Sequence, residues 1–301
     1  MLGSFPALTM ITLGIILALA CAFVANLAFF LKHRGVCESP AVDVRHPWRT
    51  TKALWSSKWF ALGMLAAACA WIIHVAALAV APITVVQMAL AAGLVMIGVI
   101  ADRIFGFAVG PRQWWGLGLT TLGLIVVALT FPAGGEGAHS SYSAPTMAVF
   151  EAVLFAIGGL FILGPRIGAP SQHHGVMLGA AAGVMFGVSA VSIKALTGIA
   201  ADGLVPLLVS PWLAVTVLAS IAAFFSSARG LQDGEPVAVI AITGVATNIT
   251  TIASGMIVFG DPLPGSTLGI VVHAAALLLI LVAAALTPTG QQADATAVAR
   301  A

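Results

Sequence analysis

One acidic side chain of this chain falls within an apolar run, and its chemistry suits a bound cation or proton. Glu151 stands in the segment AVFEAVLFA, whereas the other nine of the ten acids lie in loops or at helix ends. Carboxylate oxygens are the ligands that hard divalent ions prefer. Two roles stay open for Glu151: an interfacial acid that reaches water, or a cation or proton site in an outer vestibule.

A second set of polar side chains lies in the long uncharged stretch 59–102, whose first acidic or basic residue is the closing Asp102. The stretch carries Trp71, His74 and Gln87, the last shortly after a proline that separates two helices. A lipid-facing surface has no use for His or Gln, so these side chains are expected to face other helices or an aqueous cavity. His74 is either a hydrogen-bonded packing residue or a proton-coupling group.

Further polar groups occur in other apolar runs. Asn26 and His273 are candidates either for hydrogen bonds between helices or for a substrate pathway. The segment 243–254, TGVATNITTIAS, places five hydroxyl side chains on one helical face, with Asn248 beside them. The five are Thr243, Thr247, Thr250, Thr251 and Ser254. Such a face suits a substrate path, or its threonines return their hydroxyls to the backbone.

The composition identifies the class of protein that must position these groups. Of 301 residues, 60 % are hydrophobic and 7 % are charged, and the mean hydropathy is +1.10. A soluble protein carries about 25 % charged residues. The chain is therefore predicted to be all-α and polytopic in a lipid bilayer. With a formal net charge of +2 confined to loops and no catalytic motif, we expect no nucleic acid partner, no cofactor and no enzymatic activity.

Nine membrane spans are predicted, in three blocks. Residues 1–131 form a first four-helix repeat with a cytoplasmic loop at 32–58, and residues 132–174 form a linker and the fifth helix. Residues 175–288 form a second four-helix repeat, and 289–301 a disordered tail. The spans are 9–31, 59–80, 82–101, 114–131, 147–164, 175–196, 206–226, 237–259 and 267–287.

Basic residues predict the orientation. With nine spans, eleven of the twelve Lys and Arg fall on the side of loop 32–58, and Lys194 falls toward the other face. Basic residues concentrate in cytoplasmic loops, so the N-terminus is predicted outside and the C-terminus in the cytoplasm. Lys194 is expected to reach the interface, where it could also attract anionic groups.

The two four-helix blocks are weakly similar in sequence. Trp59 aligns with Trp212, and each third helix ends at an aspartate, Asp102 or Asp261. Matched helices are five apart, an odd number, so the halves must cross the membrane in opposite directions. Many secondary transporters have such inverted repeats, with the site between the halves near the midplane. The prediction is an inverted 4+1+4 repeat.

The same segments resemble a known family. LGIILALACAFVANLAFFLKHRG in span one, HVAALAVAPITVVQ in spans two and three, GPRIG (164–168) and SAVSIKALTG (189–198) are similar to the drug/metabolite transporter superfamily, most closely to its NIPA-type magnesium transporter branch. The resemblance implies a transporter fold and brings Ser189 and Lys194 to the list of pathway residues. The NIPA-type pattern has Glu and Asn in the second helix, where this chain has Trp71 and His74.

The function expected from these observations is secondary transport by alternating access in the plasma membrane. The partners are a small solute or cation and the lipid bilayer, and a homodimer is a further expectation. The resemblance implies Mg²⁺ or another divalent cation, with Glu151 as the candidate ligand. Because the acid of the second helix is missing at Trp71, an organic metabolite or drug stays open as the substrate. The third alternative is a non-transporting or lipid-handling membrane protein.

Overall fold

A computed structural model describes residues 4–43, 45–80, 86, 89–90, 92–130, 142–199, 203–260 and 264–285. All regular elements within these residues are helices, which confirms the all-α prediction. The α-helices are α1 (Ser4–Cys37), α2 (Pro47–Ser56), α3 (Lys58–Val80), α4 (Val95–Arg103), α5 (Pro111–Thr130), α6 (Ala144–Leu163), α7 (His174–Ile199), α8 (Leu204–Val209), α9 (Pro211–Asp233), α10 (Pro236–Ile257) and α11 (Thr267–Ala285). Two 3₁₀ turns, Gly164–Ile167 and Ser171–His173, join α6 to α7.

Several of these helices are long enough to cross a bilayer. Among the described residues, five pass on length and hydropathy: Thr12–Cys37, Ala144–Leu163, His174–Leu196, Pro211–Asp233 and Pro236–Ile257. The bent pair of α2 and α3 makes a sixth if it is counted as one span. The chain is thus a multi-pass membrane protein. The count of nine spans and the inverted repeat stay predictions, and most of the first half of span 82–101 lies outside the described residues.

Two predicted boundaries differ from the structure. Loop 32–58 is largely helical, because α1 continues to Cys37 and Pro47 begins α2 at a first position that proline favours. Span 206–226 is instead two helices that meet at Ser210, whose extended backbone (φ −62°, ψ 131°) is the conformation imposed on a residue before proline. The Ser210 hydroxyl accepts a hydrogen bond from the Trp212 amide and so caps α9.

Small residues let the central helix α7 approach its neighbours closely. It packs against α6, α9 and α10. A Cβ at Gly183 would meet the carbonyl oxygen of Thr243 and the methyl of Ala246, and one at Gly187 would meet Thr250. Gly179, Gly183 and Gly187, at four-residue spacing, therefore form a packing surface for α10.

The lysine- and arginine-rich segments meet at one end of the bundle, called here the basic end. It comprises the C-terminal ends of α1, α4 and α9 and the N-terminal ends of α3, α5 and α10. Phe30 of α1 stacks on Phe105, which follows α4, with 5.2 Å between ring centroids. Phe60 of α3 contacts Phe224 of α9 edge-on at 5.9 Å. The opposite end comprises the start of α6, the end of α7 and the start of α9.

Candidate functional site

Glu151 is buried at the contact between α6 and α7. One face of α6 carries Met147, Glu151 and Gly158, all buried, while the other face is exposed as a lipid-facing surface requires. The Glu151 side chain is 3 % exposed, and its Oε1 atom accepts a hydrogen bond from the Ser192 hydroxyl of α7. The acid therefore faces the interior of the bundle, contrary to the alternative of an interfacial acid that reaches water.

The second carboxylate oxygen is available for a ligand. Glu151 Oε2 is buried and makes no hydrogen bond with any residue that the structure describes. A buried carboxylate oxygen without a donor is costly, so a proton, a water molecule or a cation is needed there. Three other buried side-chain atoms of the described residues share this lack of a hydrogen bond, on His74, Thr121 and His273.

Aromatic rings belong to an apolar cluster one turn of α6 away from Glu151, at the end of the bundle opposite the basic end. Tyr142 contacts Trp212 edge-on at 5.8 Å and Phe259 at 6.2 Å between centroids. The Lys194 ammonium lies 4.1 Å from the centroid of Phe259, in cation–π geometry. Met147, four residues before Glu151, belongs to the same apolar cluster as Trp212 and Phe259. This end of the bundle therefore combines a buried aromatic cluster with an ammonium group on one of its rings.

The hydroxyl face of α10 is engaged with backbone. Thr247 donates to the carbonyl of Gly183 in α7 at 3.0 Å and to Thr243 at 2.8 Å, and Thr251 donates to Thr247 at 3.1 Å. Asn248 is half-buried on the same helix. These hydroxyls hold α10 against α7 and against its own turns. They fit the alternative in which threonines return their hydroxyls to the backbone.

Ser189 also joins helices. Its hydroxyl is buried and lies 2.9 Å from the Ser220 hydroxyl of α9. One stretch of α7 therefore makes three different contacts. Ser189 meets α9, Ser192 meets the Glu151 carboxylate, and Lys194 meets the ring of Phe259. Helix α7 thus carries two predicted site residues, Ser189 and Lys194, and the partner of a third, Glu151.

The remaining predicted residues lie on other helix contacts. Asn26 donates to the Gly93 carbonyl at 3.0 Å, and His273 of α11 hydrogen-bonds the Thr130 hydroxyl of α5 at 2.7 Å. His74 is half-buried, and its Nδ1 atom has no partner among the described residues. Trp71 is 68 % exposed, which fits a lipid-facing side chain rather than a pathway. Gln87 lies outside the described residues.

The sequence analysis did not identify the side chains that join the two halves of the chain at the basic end. Gln232 at the end of α9 donates to the Val36 carbonyl at 2.7 Å and accepts from the Val42 amide at 2.9 Å. His33 of α1 donates from Nδ1 to the Leu231 carbonyl at 2.9 Å. These bonds fasten the segment after α1 to α9, in the other half of the chain. The sequence signal was weak, because Gln232 stands in an ordinary polar helix end.

Glu235 makes a second connection between the halves. It caps α10 by accepting from the amides of Val237 at 3.0 Å and Ala238 at 2.7 Å, and Gln113 of α5 donates to it at 3.2 Å. Burial raises the pKa of the Glu235 carboxyl, an effect that the two amide donors partly offset. The proline at the first helical position, directly after Glu235, is a helix-start signal that the sequence analysis did not use.

The described residues hold no ready-made metal cage. No group of three or more His, Cys, Asp and Glu side chains converges anywhere in the part of the chain that the structure describes. Mg²⁺ retains several waters and needs as few as one or two carboxylates. Glu151 with the Ser192 hydroxyl therefore fits a hydrated ion and not a fully dehydrated one.

Comparison with known proteins identifies a relative. No protein-family model matches the chain, and no solved structure matches it. A protein of Arabidopsis thaliana, described as "Probable magnesium transporter NIPA9", is 24 % identical over 292 residues, which cover 93 % of this chain and 83 % of that protein. The match takes in both halves and the helix between them. The chain is therefore similar to a NIPA-type protein along nearly all of its length, which agrees with the resemblance of its motifs.

Proposed function

We propose that the chain is a secondary transporter that moves Mg²⁺ or a similar divalent cation across the membrane by alternating access. The observation that carries the proposal is Glu151, a carboxylate buried between two membrane helices with one oxygen that bonds no described residue. The description of the plant relative as a probable magnesium transporter supports the choice of substrate. Ionisable side chains within membrane helices are costly and rare, and they commonly mark ion pathways.

Hydrogen bonds join the two halves at the basic end, which fits a conformation closed at that end. At the basic end, Gln232, His33 and Glu235 join segments from the two halves by hydrogen bonds. Glu151 lies toward the other end, one turn of α6 from Met147, which packs in the cluster of Trp212 and Phe259. In the proposed cycle the cation reaches Glu151 from this end, and the contacts of the basic end break when the halves rock.

The pattern of helix contacts is compatible with the inverted repeat that the mechanism requires. α1 packs on α3 in the first half, and their proposed counterparts α7 and α9 pack in the second half. α5 packs on α11, and these two helices are counterparts of each other in the proposed repeat, so a pseudo-twofold axis would pass through their contact. Two halves of opposite orientation give a natural route to alternating access. The proposed orientation, with the N-terminus outside a plasma membrane and the basic end in the cytoplasm, follows the positive-inside rule.

An organic solute is the second candidate substrate. The aromatic side chains of Tyr142, Trp212 and Phe259 beside the Lys194 ammonium favour it, because rings and one cation would bind a flat or anionic metabolite. Helix α3 carries Trp71 where the NIPA-type pattern has an acid, which lowers the number of carboxylates available to a metal.

Uptake into proteoliposomes tests the proposal. Purified full-length protein is reconstituted around a fluorescent Mg²⁺ indicator, and uptake is compared with that of protein-free vesicles. Saturable Mg²⁺ entry that requires the protein supports the cation function. Absence of Mg²⁺ entry in vesicles that do accumulate a metabolite would transfer the function to the organic candidate, and absence of both would leave a non-transporting protein.

A further inference from the structure

Helix α2 is oriented as a helix on a membrane surface would be. It meets α3 at 89°, and Ser57 between them has an extended backbone (φ −76°, ψ 123°). Helix α3 is apolar along its length and is a predicted span. A helix at right angles to a spanning helix lies in the plane of the bilayer. Since α2 precedes α3 at the basic end, an α3 that crosses the bilayer would put α2 at the level of the lipid headgroups there.

The side chains of α2 are divided between the protein and the outside. Thr50 and Leu54, four residues apart, are buried against the rest of the chain. Trp48 and Trp55, seven residues apart and so on a shared face, are 84 % and 50 % exposed. Tryptophan concentrates at the membrane–water interface, where the ring meets apolar chains and the indole N–H meets water or headgroups. The interface thus accounts for two large apolar rings that the protein leaves uncovered.

Unpaired cations lie beside the exposed tryptophans. Arg49 and Lys52 are exposed on α2, and neither forms an ion pair with a described residue. The nearest acids in sequence are already engaged: Glu38 pairs with Arg34 at 3.3 Å, and Asp43 pairs with His46 at 2.9 Å. The free charge of this surface is therefore positive.

We propose that α2 is a docking surface for the headgroups of anionic phospholipids in the leaflet at the basic end. Trp48 and Trp55 enter the interface, and Arg49 and Lys52 bind lipid phosphates. Basic side chains next to interfacial aromatic residues are the combination that anionic membranes attract. The elbow between α2 and α3 adds an open cleft lined by Ser56, Ser57 and Lys58, with Glu38 also on its lining, and it borders the same surface.

Thermal stabilisation of the full-length protein in detergent tests the proposal. The probes are phosphatidylglycerol, phosphatidylcholine and inorganic phosphate, added to wild type, to the double variant Arg49→Gln/Lys52→Gln and to the control Arg103→Gln. Arg103 is an exposed cation at the same end that is paired with Asp102. We expect phosphatidylglycerol alone to raise the melting temperature, with half-maximal effect at about fivefold higher lipid for each of the two cations removed. The control should match wild type.

Three results would overturn the proposal: an equal response of the double variant and wild type, an equal effect of the neutral lipid, or an equal effect of inorganic phosphate. The last would mean a soluble anion site instead of a lipid surface. A second measurement follows the rings directly. Brominated phosphatidylglycerol in nanodiscs should quench the fluorescence of wild type more than that of Trp48→Phe/Trp55→Phe, and equal fractional quenching would place both rings away from the lipid.

Discussion

Replacement of Glu151 by glutamine gives the sharpest test of the proposed cation site. Glutamine has the size of glutamate, and its Oε1 atom can still accept the hydrogen bond from Ser192, so the contact between α6 and α7 is preserved. What is lost is the negative charge on the oxygen that makes no hydrogen bond with a described residue. The change therefore separates charge from packing.

The expected loss follows from the value of one charged contact. A hydrogen bond to a charged group contributes about 1.5–3 kcal/mol, and about 2 kcal/mol corresponds to roughly a thirtyfold change in affinity. In proteoliposomes at Mg²⁺ concentrations below half-saturation, uptake by Glu151→Gln should fall about thirtyfold by this reasoning. Raising the Mg²⁺ concentration should restore part of the rate, because binding is impaired and the fold is not.

The matched control is Glu38→Gln, which also removes one carboxylate but at the basic end, where Glu38 pairs with Arg34 on an exposed surface. Its uptake should equal that of wild type. Ser192→Ala, which removes the donor to the acid, should keep the charge and much of the uptake. Unchanged transport by Glu151→Gln, or an equal loss in Glu38→Gln, would refute a cation site at Glu151 and leave that residue a structural role.

The structure supports three further predictions. Gly183→Ala should lower the melting temperature, since a Cβ there meets the Thr243 carbonyl and overpacking costs about 1–3 kcal/mol. The control Gly159→Ala, where a Cβ has nothing within 4 Å, should leave the melting temperature unchanged. Equal effects of the two changes would show that α7 and α10 tolerate separation. Burial raises the pKa of Glu235 in the folded protein, so folding favours the protonated carboxyl. This contribution to stability is present below the unfolded pKa of about 4.3 and is lost as pH rises through the folded pKa. The pH dependence of the melting temperature should therefore flatten in Glu235→Gln, and parallel curves would contradict this. Ala53→Cys, in a background without the three native cysteines, should react with a membrane-impermeant thiol reagent from the cytoplasmic side, and labelling from outside alone would reverse the orientation.

The sequence was sufficient for the class of protein and for much of its helical layout. Span 59–80 is helix Lys58–Val80, and span 237–259 is helix Pro236–Ile257. Such agreement is expected because hydropathy accumulates residue by residue, and a run of about 20 apolar residues in lipid must satisfy its backbone as a helix. The sequence also identified Glu151 as the acid of an apolar run, since charge within such a run is visible without a fold.

Only the tertiary structure decided what each polar side chain faces. The partner of Glu151 is Ser192, 41 residues away, and the rotation of α7 that aligns them depends on packing against α6, α9 and α10. The same rotation places the Thr247 hydroxyl against the Gly183 carbonyl and not in a substrate pathway. The turn at Ser57 directs α2 at right angles to α3. A helical pattern records which residues share a face. Which neighbour that face meets is determined by close packing between segments distant in sequence, and no local pattern contains that information.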